Sequence, residues 1–347
     1  MSFRKIGFLI LLATLALISC KNDDDGNGVI SIPIADRDEQ QSIDNGMLVD
    51  YLTTHYYNAS AFVNNPNPKV ADLIISDTPD GNARLIDSVD IKPVRFADTD
   101  YEIYILKLNE GGGETTNFSD KVRVHYEGFL LDGTIFDSAV TPTDFNLVGD
   151  GRTIGSVIDG WKKALVDFKS AENFTEDGGL INYENHGVGV MFMPSGLAYF
   201  NESRSQIPAY SPLIFKFELL QNFFTDFDND GIPSHLEKIL KDPADSQFLD
   251  QFVVFADENE EDDDTDNNGL WDFIDPDDDG DGILTKDEIK VRTITGTKDE
   301  VENAVLNKDE ERVRVYKDVL NNNYVATIIE FTDTDDNGTP DYLEDNI

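Results

Sequence analysis

Four short segments in the last third of the chain repeat one spacing of oxygen-bearing side chains. In each twelve-residue segment Asp or Asn stands at positions 1, 3 and 5, Gly at position 6 and a carboxylate at position 12. Oxygens in this order wrap one hard cation, and glycine permits the sharp turn between them. Acidic runs alone usually form solvated surface, but a glycine repeated at the same offset predicts structural Ca²⁺ sites.

The predicted ligands include the backbone carbonyl at position 7 and a side chain at position 9. Those of loops 1 and 2 are Asp226, Asp228, Asp230, Ile232, Ser234, Glu237, and Asp264, Asp266, Asn268, Leu270, Asp272, Asp275. Those of loops 3 and 4 are Asp277, Asp279, Asp281, Ile283, Thr285, Glu288, and Asp333, Asp335, Asn337, Thr339, Asp341, Glu344. Only Pro276 separates loops 2 and 3, which leaves no room for paired EF-hand helices. The arrangement resembles thrombospondin type 3 repeats, whose acidic ribbon depends on metal to fold.

Four blocks in the middle of the chain carry a second pattern. The first reads Val-His-Tyr-Glu-Gly-Phe-Leu-Leu-Asp-Gly-Thr-Ile-Phe-Asp-Ser over residues 124–138, and the second reads Val-Ile-Asp-Gly-Trp over 157–161. The third joins Pro-Ser-Gly-Leu-Ala-Tyr at 194–199 to Ile-Pro at 207–208, and the fourth is Leu-Ile-Phe-Lys-Phe-Glu-Leu at 213–219. In this order the blocks resemble the FKBP family of peptidyl-prolyl cis-trans isomerases, across roughly residues 100–221.

The resemblance implies an α+β domain in which a curled antiparallel sheet surrounds a short helix and leaves an apolar pocket. The pocket would be lined by Tyr126, Phe136, Asp137, Phe145, Val157, Ile158, Trp161, Tyr199, Ile207 and Phe215. Trp161 would form its floor and Asp137 its rim, while the Ile158 N–H and the Tyr199 hydroxyl would bind peptide carbonyls. The chain departs from the family in Phe200, which stands where glycine is usual, in extra residues at 149–156 and 172–187, and in a short flap from Tyr199 to Ile207.

The chemistry that this resemblance implies suits an apolar site. An X–Pro bond isomerises over a barrier of about 18–20 kcal/mol because the twisted amide loses resonance. No covalent bond breaks, so we expect no nucleophile and no catalytic cofactor, only a dry pocket that favours the twisted amide. The expected substrates are X–Pro-containing polypeptides. Two other interpretations remain open: a proline-binding chaperone without turnover, and a calcium-dependent surface interaction protein.

Hydrophobic periodicity predicts the elements that position these residues. A helix is indicated by one apolar stripe of Ile43, Met47, Leu48, Tyr51, Leu52, His55 and Tyr56. Strands are predicted at 101–107, 121–126 and 213–220, a hairpin turn at Asp132-Gly133 and a short helix at 161–168. Histidines are few and scattered, so no zinc cluster is expected.

The N-terminus predicts export. Arg4 and Lys5 precede an apolar run that is short for a spanning helix and ends in Leu-Ile-Ser-Cys at Cys20, the single cysteine. This ending resembles the bacterial lipobox, and the following Lys-Asn-Asp-Asp-Asp resembles a surface-export signal of Bacteroidetes-type lipoproteins. We therefore expect membrane attachment through a lipid on Cys20 and an outer-membrane location in the cell envelope, facing the periplasm or the surface.

Charge and composition complete the expected organisation. A net charge of −42 repels phosphate backbones and argues against nucleic-acid partners. The expected regions are a signal peptide at 1–19, a tether at 20–37, an N-terminal helical extension of unassigned role at 38–99, the FKBP-type isomerase domain at 100–221 and the acidic calcium-binding region at 222–347.

Overall fold

A computed structural model describes residues 34–65, 67–149, 154–237, 264–318, 321 and 323–344. The helices are α1 (Arg37–Thr54), α2 (Asp159–Leu165), α3 (Thr285–Glu288) and α4 (Lys298–Glu302). The first seven strands are β1 (Tyr56–Tyr57), β2 (Ile75–Ser76), β3 (Ala83–Arg84), β4 (Asp90–Phe96), β5 (Thr99–Asn109), β6 (Lys121–Leu130) and β7 (Ile135–Asn146). The remaining strands are β8 (Asn173–Asp177), β9 (Leu180–Glu184), β10 (Gly187–Met193), β11 (Leu213–Phe223), β12 (Ile289–Gly296), β13 (Glu310–Asp318) and β14 (Asn323–Phe331). Within the described ranges no helix is both long enough and apolar enough to cross a bilayer.

The central element is a six-stranded antiparallel sheet in the order β4-β5-β10-β11-β6-β7. The predicted strands at 101–107, 121–126 and 213–220 fall within β5, β6 and β11, and the predicted short helix is α2. This arrangement confirms the α+β fold class. The sheet also includes β4, which lies in the sequence assigned to the N-terminal extension, so it begins before residue 100.

Both faces of this sheet are covered, and alternation along the strands divides their side chains between two cores. In β5, Ile103 and Ile105 join the core that contains α2, whereas Tyr104 and Leu106 join the core that contains α1. Strand β10 divides in the same way. The near-continuous apolar runs of β5 and β10 are therefore the consequence of burial on two sides.

Helix α1 forms as predicted, but the residues of its buried face differ from the predicted stripe. Its N-cap is Asp36, whose carboxylate accepts the N–H groups of the first turn. The buried side chains are Gln40, Gln41, Asp44, Leu48, Tyr51 and Leu52. The predicted stripe was wrong at Ile43 and Met47, which are 57% and 44% exposed. Polar residues occupy part of the buried face instead. The Asp44 side chain is buried because its carboxylate accepts a hydrogen bond from the backbone N–H of Ser195.

The acidic C-terminal region contains a second, three-stranded antiparallel sheet in the order β12-β14-β13, which the sequence analysis did not foresee. Its small core joins Ile289, Val313 and Ile329 to Ile232, which belongs to loop 1. Loop 1 directly follows β11, the strand that crosses the middle of the large sheet. Loop 1 thus packs against strands that come more than fifty residues later in the chain.

Candidate functional site

The predicted pocket residues converge on one aromatic cluster between α2 and the large sheet. Trp161, Ile207 and Phe215 are buried within it, and the other members are half-buried against it: Tyr126, Phe136, Phe145, Val157, Ile158 and Tyr199. The Trp161 ring lies 5.3 Å from that of Phe215, 5.6 Å from that of Tyr126 and 5.8 Å from that of Phe145, each at a steep angle. Such edge-to-face packing is favourable. Trp161 is therefore a central member of the cluster, and its role as the pocket floor stays a prediction.

Gly128 is a pocket residue that the sequence analysis quoted but did not single out. A Cβ at this position would lie 2.6 Å from the Phe136 ring and 2.7 Å from the Phe215 ring, closer than real Cβ contacts. The two rings meet edge to face at 5.4 Å directly over this glycine. The signal was available in the sequence, because glycine inside a strand often marks a close approach.

Asp137 is exposed, as expected of a rim residue, and it accepts a hydrogen bond from the Tyr126 hydroxyl at 2.6 Å. Tyr126 lies on β6 and Asp137 on β7. The pairing of these strands shifts register twice, between Val124 and Tyr126 and between Gly128 and Phe129, and these shifts bring the two side chains together. Burial, followed by the hydrogen bond to Asp137, raises the pKa of Tyr126. The phenol therefore stays protonated at neutral pH and holds the carboxylate beside the aromatic wall.

The segment that carries Tyr199 follows a 3₁₀ turn at Ser195–Leu197. The Tyr199 ring is half-buried, and the Arg204 guanidinium lies 5.0 Å from its centroid, a cation–π contact from the flap. Arg204 also pairs with Glu202. Ile158 is the N-cap of α2 in an extended conformation. The peptide-binding roles of the Ile158 N–H and the Tyr199 hydroxyl stay predictions.

Helix α1 contacts this segment from behind, which the sequence analysis missed. The Asp44 carboxylate accepts the Ser195 N–H at 2.7 Å, and the Arg37 guanidinium donates to the Gly196 carbonyl at 3.2 Å and to the Tyr101 hydroxyl at 3.0 Å. Arg37 also lies 4.3 Å from the centroid of the Phe200 ring. The N-terminal extension thus packs directly on the segment that bears Tyr199.

Phe200 explains one departure from the family pattern. Its φ is +46°, a left-handed conformation that glycine adopts more easily. The strain, on the order of 1–3 kcal/mol for such residues, is offset by contacts that glycine could not make. Besides the Arg37 contact, its ring packs edge to face on Tyr210 at 5.2 Å. Phe200 therefore packs between α1 and Tyr210.

The extra residues at 172–187 form a hairpin of β8 and β9, in which Leu180 and Ile181 are exposed. It lies in sequence between α2 and β10, so it leaves the pocket strands in place.

Behind the sheet, the Glu218 carboxylate accepts the Val70 N–H at 2.7 Å and pairs with His125 at 3.0 Å. His186 lies 3.7 Å from the same carboxylate, so two of the histidines that are distant in sequence meet there.

The four predicted metal loops share one backbone fold. Glycine at position 6 has φ between +91° and +106° in every loop, and the position-4 residue is also left-handed: Asn229, Asn267, Gly280 and Asp336. The carboxylate at position 1 accepts the N–H of that glycine in each case. The position-5 side chain accepts the N–H of position 7, from Ile232, Leu270, Ile283 and Thr339. The repeated sequence spacing thus produces a repeated turn.

The position-9 side chains make a hydrogen bond within each loop, and their role as metal ligands stays a prediction. In every loop this side chain accepts the backbone N–H of position 2: Ser234 from Phe227, Asp272 from Thr265, Thr285 from Asp278 and Asp341 from Thr334. An oxygen used as this acceptor closes the loop on itself. Position 9 therefore has a structural role, because the hydrogen bond joins the two ends of the turn.

The carboxylates of the loops gather as ion binding requires. Ligand atoms of Asp226, Asp228 and Asp230 lie within 4.8 Å of one another, and so do those of Asp277, Asp279 and Asp281. In loops 2 and 4 the position-5 amides of Asn268 and Asn337 donate to the position-12 carboxylates of Asp275 and Glu344. The all-oxygen donor set fits Ca²⁺. Glu288, at position 12 of loop 3, is partly buried, and burial followed by the nearby Asp279 charge raises its pKa to about 7.

The predicted signal peptide, the lipidation site Cys20 and nearly all of the tether lie outside the described residues. The predicted domain boundaries likewise stay predictions.

Known proteins resemble this chain in two separate regions. The family model for FKBP-type peptidyl-prolyl cis-trans isomerase matches residues 112–176, and a model described as BamM C-terminal matches residues 227–312. The first match spans β6, β7 and α2, which carry much of the pocket. The second begins inside loop 1 and ends in β13.

Individual relatives resemble the region around the pocket. The FKBP-type 22 kDa peptidyl-prolyl cis-trans isomerase of Escherichia coli is 33% identical over 118 residues, which are 33% of this chain and 47% of that protein. FK506-binding protein 2 of Debaryomyces hansenii is 35% identical over 104 residues, 29% of this chain and 62% of that protein. A peptidyl-prolyl cis-trans isomerase structure from Pseudomonas syringae, 21% identical, aligns over 55% of this chain and 98% of its own length with a TM-score of 0.31.

The chain spans less than two thirds of the length of these curated relatives. Together the family model and the sequence relatives support the presence of an FKBP-type peptidyl-prolyl cis-trans isomerase domain in this chain.

Proposed function

We propose that this chain is a peptidyl-prolyl cis-trans isomerase that acts on X–Pro bonds of polypeptides. The observation that carries the proposal is the half-buried aromatic cluster over Trp161, with the Tyr126–Asp137 hydrogen bond at its rim. A proline ring is apolar and compact, and such a pocket can exclude water around it. The match of residues 112–176 to the isomerase family supports the same activity.

The mechanism follows from what the twisted amide loses. Rotation about C–N removes resonance between nitrogen and carbonyl, so the twisted bond is less polar than the planar one. An apolar pocket formed by Phe136, Trp161 and Phe215 destabilises the planar, more polar amide relative to the twisted amide. Tyr199 and the Ile158 N–H hold the flanking carbonyls, so the chain rotates about a fixed end. Asp137 stays at the rim, where Tyr126 orients it.

The test is an isomerisation assay on short X–Pro peptides that vary the residue before proline. Uncatalysed isomerisation takes tens to hundreds of seconds at 25 °C, which leaves ample room to see acceleration. We expect the full-length protein to accelerate at least one peptide in proportion to its concentration. Failure with every peptide would reject the enzymatic proposal.

One observation favours a proline-binding chaperone as the second candidate. Arg204 and Glu202 form an ion pair in the short flap, and Arg204 covers part of the Tyr199 ring. A flap held in this way would retain a bound peptide and slow its rotation or release. Binding of an X–Pro peptide without acceleration of its isomerisation would favour this candidate.

We further propose that the acidic C-terminal region binds Ca²⁺ through the four loops. The common backbone turn and the clustered carboxylates of loops 1 and 3 support this proposal. The metal would be structural, because binding energy in such loops is also folding energy. Calorimetric titration of the full-length protein with CaCl₂ should give uptake of Ca²⁺, and absence of heat beyond dilution would reject the proposal.

We also propose a cellular location and a mode of membrane attachment for this protein. The Cys20 motif supports a lipid-anchored protein of the cell envelope, where exported polypeptides would be its clients. Lipoprotein processing supplies several acyl chains, which stable anchoring requires. The large negative charge continues to argue against nucleic-acid partners.

A further inference from the structure

Asp278 is an acidic residue that the repeating ligand pattern does not use. It occupies position 2 of loop 3, where the other loops carry Phe227, Thr265 and Thr334. Its side chain is only 1% exposed, and neither carboxylate oxygen has a hydrogen-bond partner among the described residues. A buried carboxylate without partners is strongly destabilising unless a cation or a proton neutralises it.

The carboxylates that gather closest to the Asp278 carboxylate come from loop 1. Ligand atoms of Asp228, Glu237 and Asp278 all lie within 4.8 Å of one another. Glu237 is 4% exposed, and both of its oxygens also lack hydrogen-bond partners within the described ranges. Like charges this close repel strongly in a poorly hydrated site. Three carboxylates gathered in this way are suited to a divalent cation, which would neutralise their charges.

The same residues complete the ligand set of loop 1. Asp228 belongs both to this group and to the group of Asp226, Asp228 and Asp230, and Glu237 is the predicted position-12 ligand of loop 1, so Asp278 lies beside two predicted ligands of the loop 1 ion. The position-9 side chain of loop 1, Ser234, accepts the Phe227 N–H at 3.1 Å. Ca²⁺ takes six to eight oxygen ligands, and the unpartnered carboxylate of Asp278 can supply one of them from outside the loop.

We propose that Asp278 is a ligand of the Ca²⁺ held by loop 1, so that one cation joins loop 1 to loop 3. This inference rests on the proposed calcium binding. It adds one ligand to the loop 1 site and gives the ion a structural role between the two loops. Loop 1 continues from β11 of the pocket sheet, and loop 3 leads into β12. The packing of Ile232 on Ile289, Val313 and Ile329 lies next to the same junction. The cation therefore links the three-stranded C-terminal sheet to the end of β11 in the six-stranded sheet.

Calcium calorimetry on the full-length protein tests this assignment with three single variants. Asp278→Asn keeps the size of the side chain and removes its charge. Asp287→Asn is the matched control, because Asp287 lies in the same loop, is exposed and is outside the predicted ligand set. Asp281→Asn removes a ligand of loop 3 alone. We expect Asp278→Asn to weaken one Ca²⁺ site by about tenfold or more, and Asp287→Asn to leave every site unchanged.

A double variant identifies which loop Asp278 serves. If it shares the ion of loop 1, then adding Asp278→Asn to Asp228→Asn should cause little further loss, whereas adding it to Asp281→Asn should cause its full loss. The reverse pattern would assign Asp278 to loop 3 and overturn the inference. Wild-type affinity in Asp278→Asn would also overturn it while leaving calcium binding by the loops intact. A wild-type protein that takes up no Ca²⁺ would reject calcium binding and this inference together.

The calcium dependence of thermal unfolding provides a second measurement. Without Ca²⁺, Asp278→Asn should unfold at a higher temperature than wild type, because it removes one of three repelling charges. With saturating Ca²⁺ the order should reverse, because wild type gains more from the ion. A variant less stable than wild type in both conditions would indicate a packing role and contradict the inference.

Discussion

The buried carboxylate of Asp44 accepts the backbone N–H of Ser195 at 2.7 Å, although the two residues are 151 positions apart in the chain. Asp44 lies on α1 and is fully buried, and its second oxygen accepts from Gln40 at 2.7 Å. Ser195 begins the 3₁₀ turn that leads to Tyr199. An element outside the isomerase-like region therefore holds the backbone next to a residue expected to bind substrate.

Asp44→Ala should lower both stability and activity. It leaves the buried Ser195 N–H without an acceptor, which typically costs about 1–3 kcal/mol, and it frees the segment that carries Tyr199. Urea unfolding and kcat/KM for an X–Pro peptide measure the two effects. Asp50→Ala, an exposed substitution on the same helix, should change neither. Full activity in folded Asp44→Ala would limit α1 to a stabilising role.

Phe136→Ala should slow isomerisation more than Tyr199→Phe. The tyrosine change removes one hydrogen bond, worth about 0.5–1.5 kcal/mol net, which corresponds to roughly tenfold or less in rate. The phenylalanine change opens the aromatic wall beside Phe215 and admits water. Leu180→Ala, on the exposed β8–β9 hairpin, is the control and should retain wild-type kcat/KM. The opposite ranking would contradict a mechanism based on fit and desolvation.

Gly128→Ala should damage the pocket through a single methyl group. The added carbon would lie 2.6 Å from the Phe136 ring and 2.7 Å from the Phe215 ring, so the rings must separate. Overpacking of this kind typically costs about 1–3 kcal/mol. Gly155→Ala is matched, since a Cβ there meets nothing within 4 Å. Thermal unfolding and the isomerisation assay should both distinguish the two variants; equal behaviour would show that the wall adapts freely.

Asp120→Asn should change how stability depends on pH. Asp120 is fully buried, one oxygen accepts the Asn117 N–H at 2.8 Å, and burial raises its pKa from 3.8 to about 7. The folded state thus keeps a proton that the unfolded state releases. Its contribution is complete below pH 3.8 and is lost as the pH rises to about 7, with a slope of up to about 1.4 kcal/mol per pH unit.

Asparagine keeps the acceptor and carries no charge, so Asp120→Asn should match wild type near pH 4 and exceed its stability at pH 8. Urea unfolding at a fixed calcium concentration across this range measures the difference. Asp50→Asn, which is exposed, should follow the wild-type curve. Parallel curves for Asp120→Asn and wild type would show that Asp120 is not the titrating group.

Cys20→Ser should release the protein from membranes. The lipobox resemblance places the acyl chains on this sulfur, and serine cannot form the thioether. Fractionation of the native host and mass spectrometry of the N-terminus measure the outcome. Ser19→Ala keeps a small residue before the cysteine and should remain anchored. An unmodified Cys20 in the wild-type protein would reject the lipid anchor.

The predicted pocket residues pack together in the structure, and each of them lies in a short local block of sequence. Tyr126, Phe136 and Phe215 lie on three strands of the large sheet and Trp161 lies on α2, so their convergence follows from the α+β fold. The stripe of α1 was predicted less well. Hydrophobic periodicity counts Ile43 and Met47 as buried, whereas Asp44 is buried because its partner Ser195 is supplied by tertiary structure.

The metal loops show the same limit. Their local turn follows from glycine at a fixed offset, and the structure reproduces it in each loop. The contact of Asp278 with Asp228 and Glu237 joins loops about fifty residues apart, and no local spacing encodes it. The three-stranded sheet was not predicted, because most of β12 is exposed, including Val291 and Thr293, so its side chains do not alternate between buried apolar and exposed polar types.

The burial of both sheet faces has a practical consequence for dissecting the chain. A fragment that starts at residue 100 would lose the residues of the extension that cover the outer face, chiefly Leu48, Leu52 and Leu85. It would leave Tyr104, Leu106, Phe129, Val190, Phe192 and Ile214 open to water. An apolar surface of that kind promotes self-association. Such a fragment would be prone to aggregate on expression even with every pocket residue present.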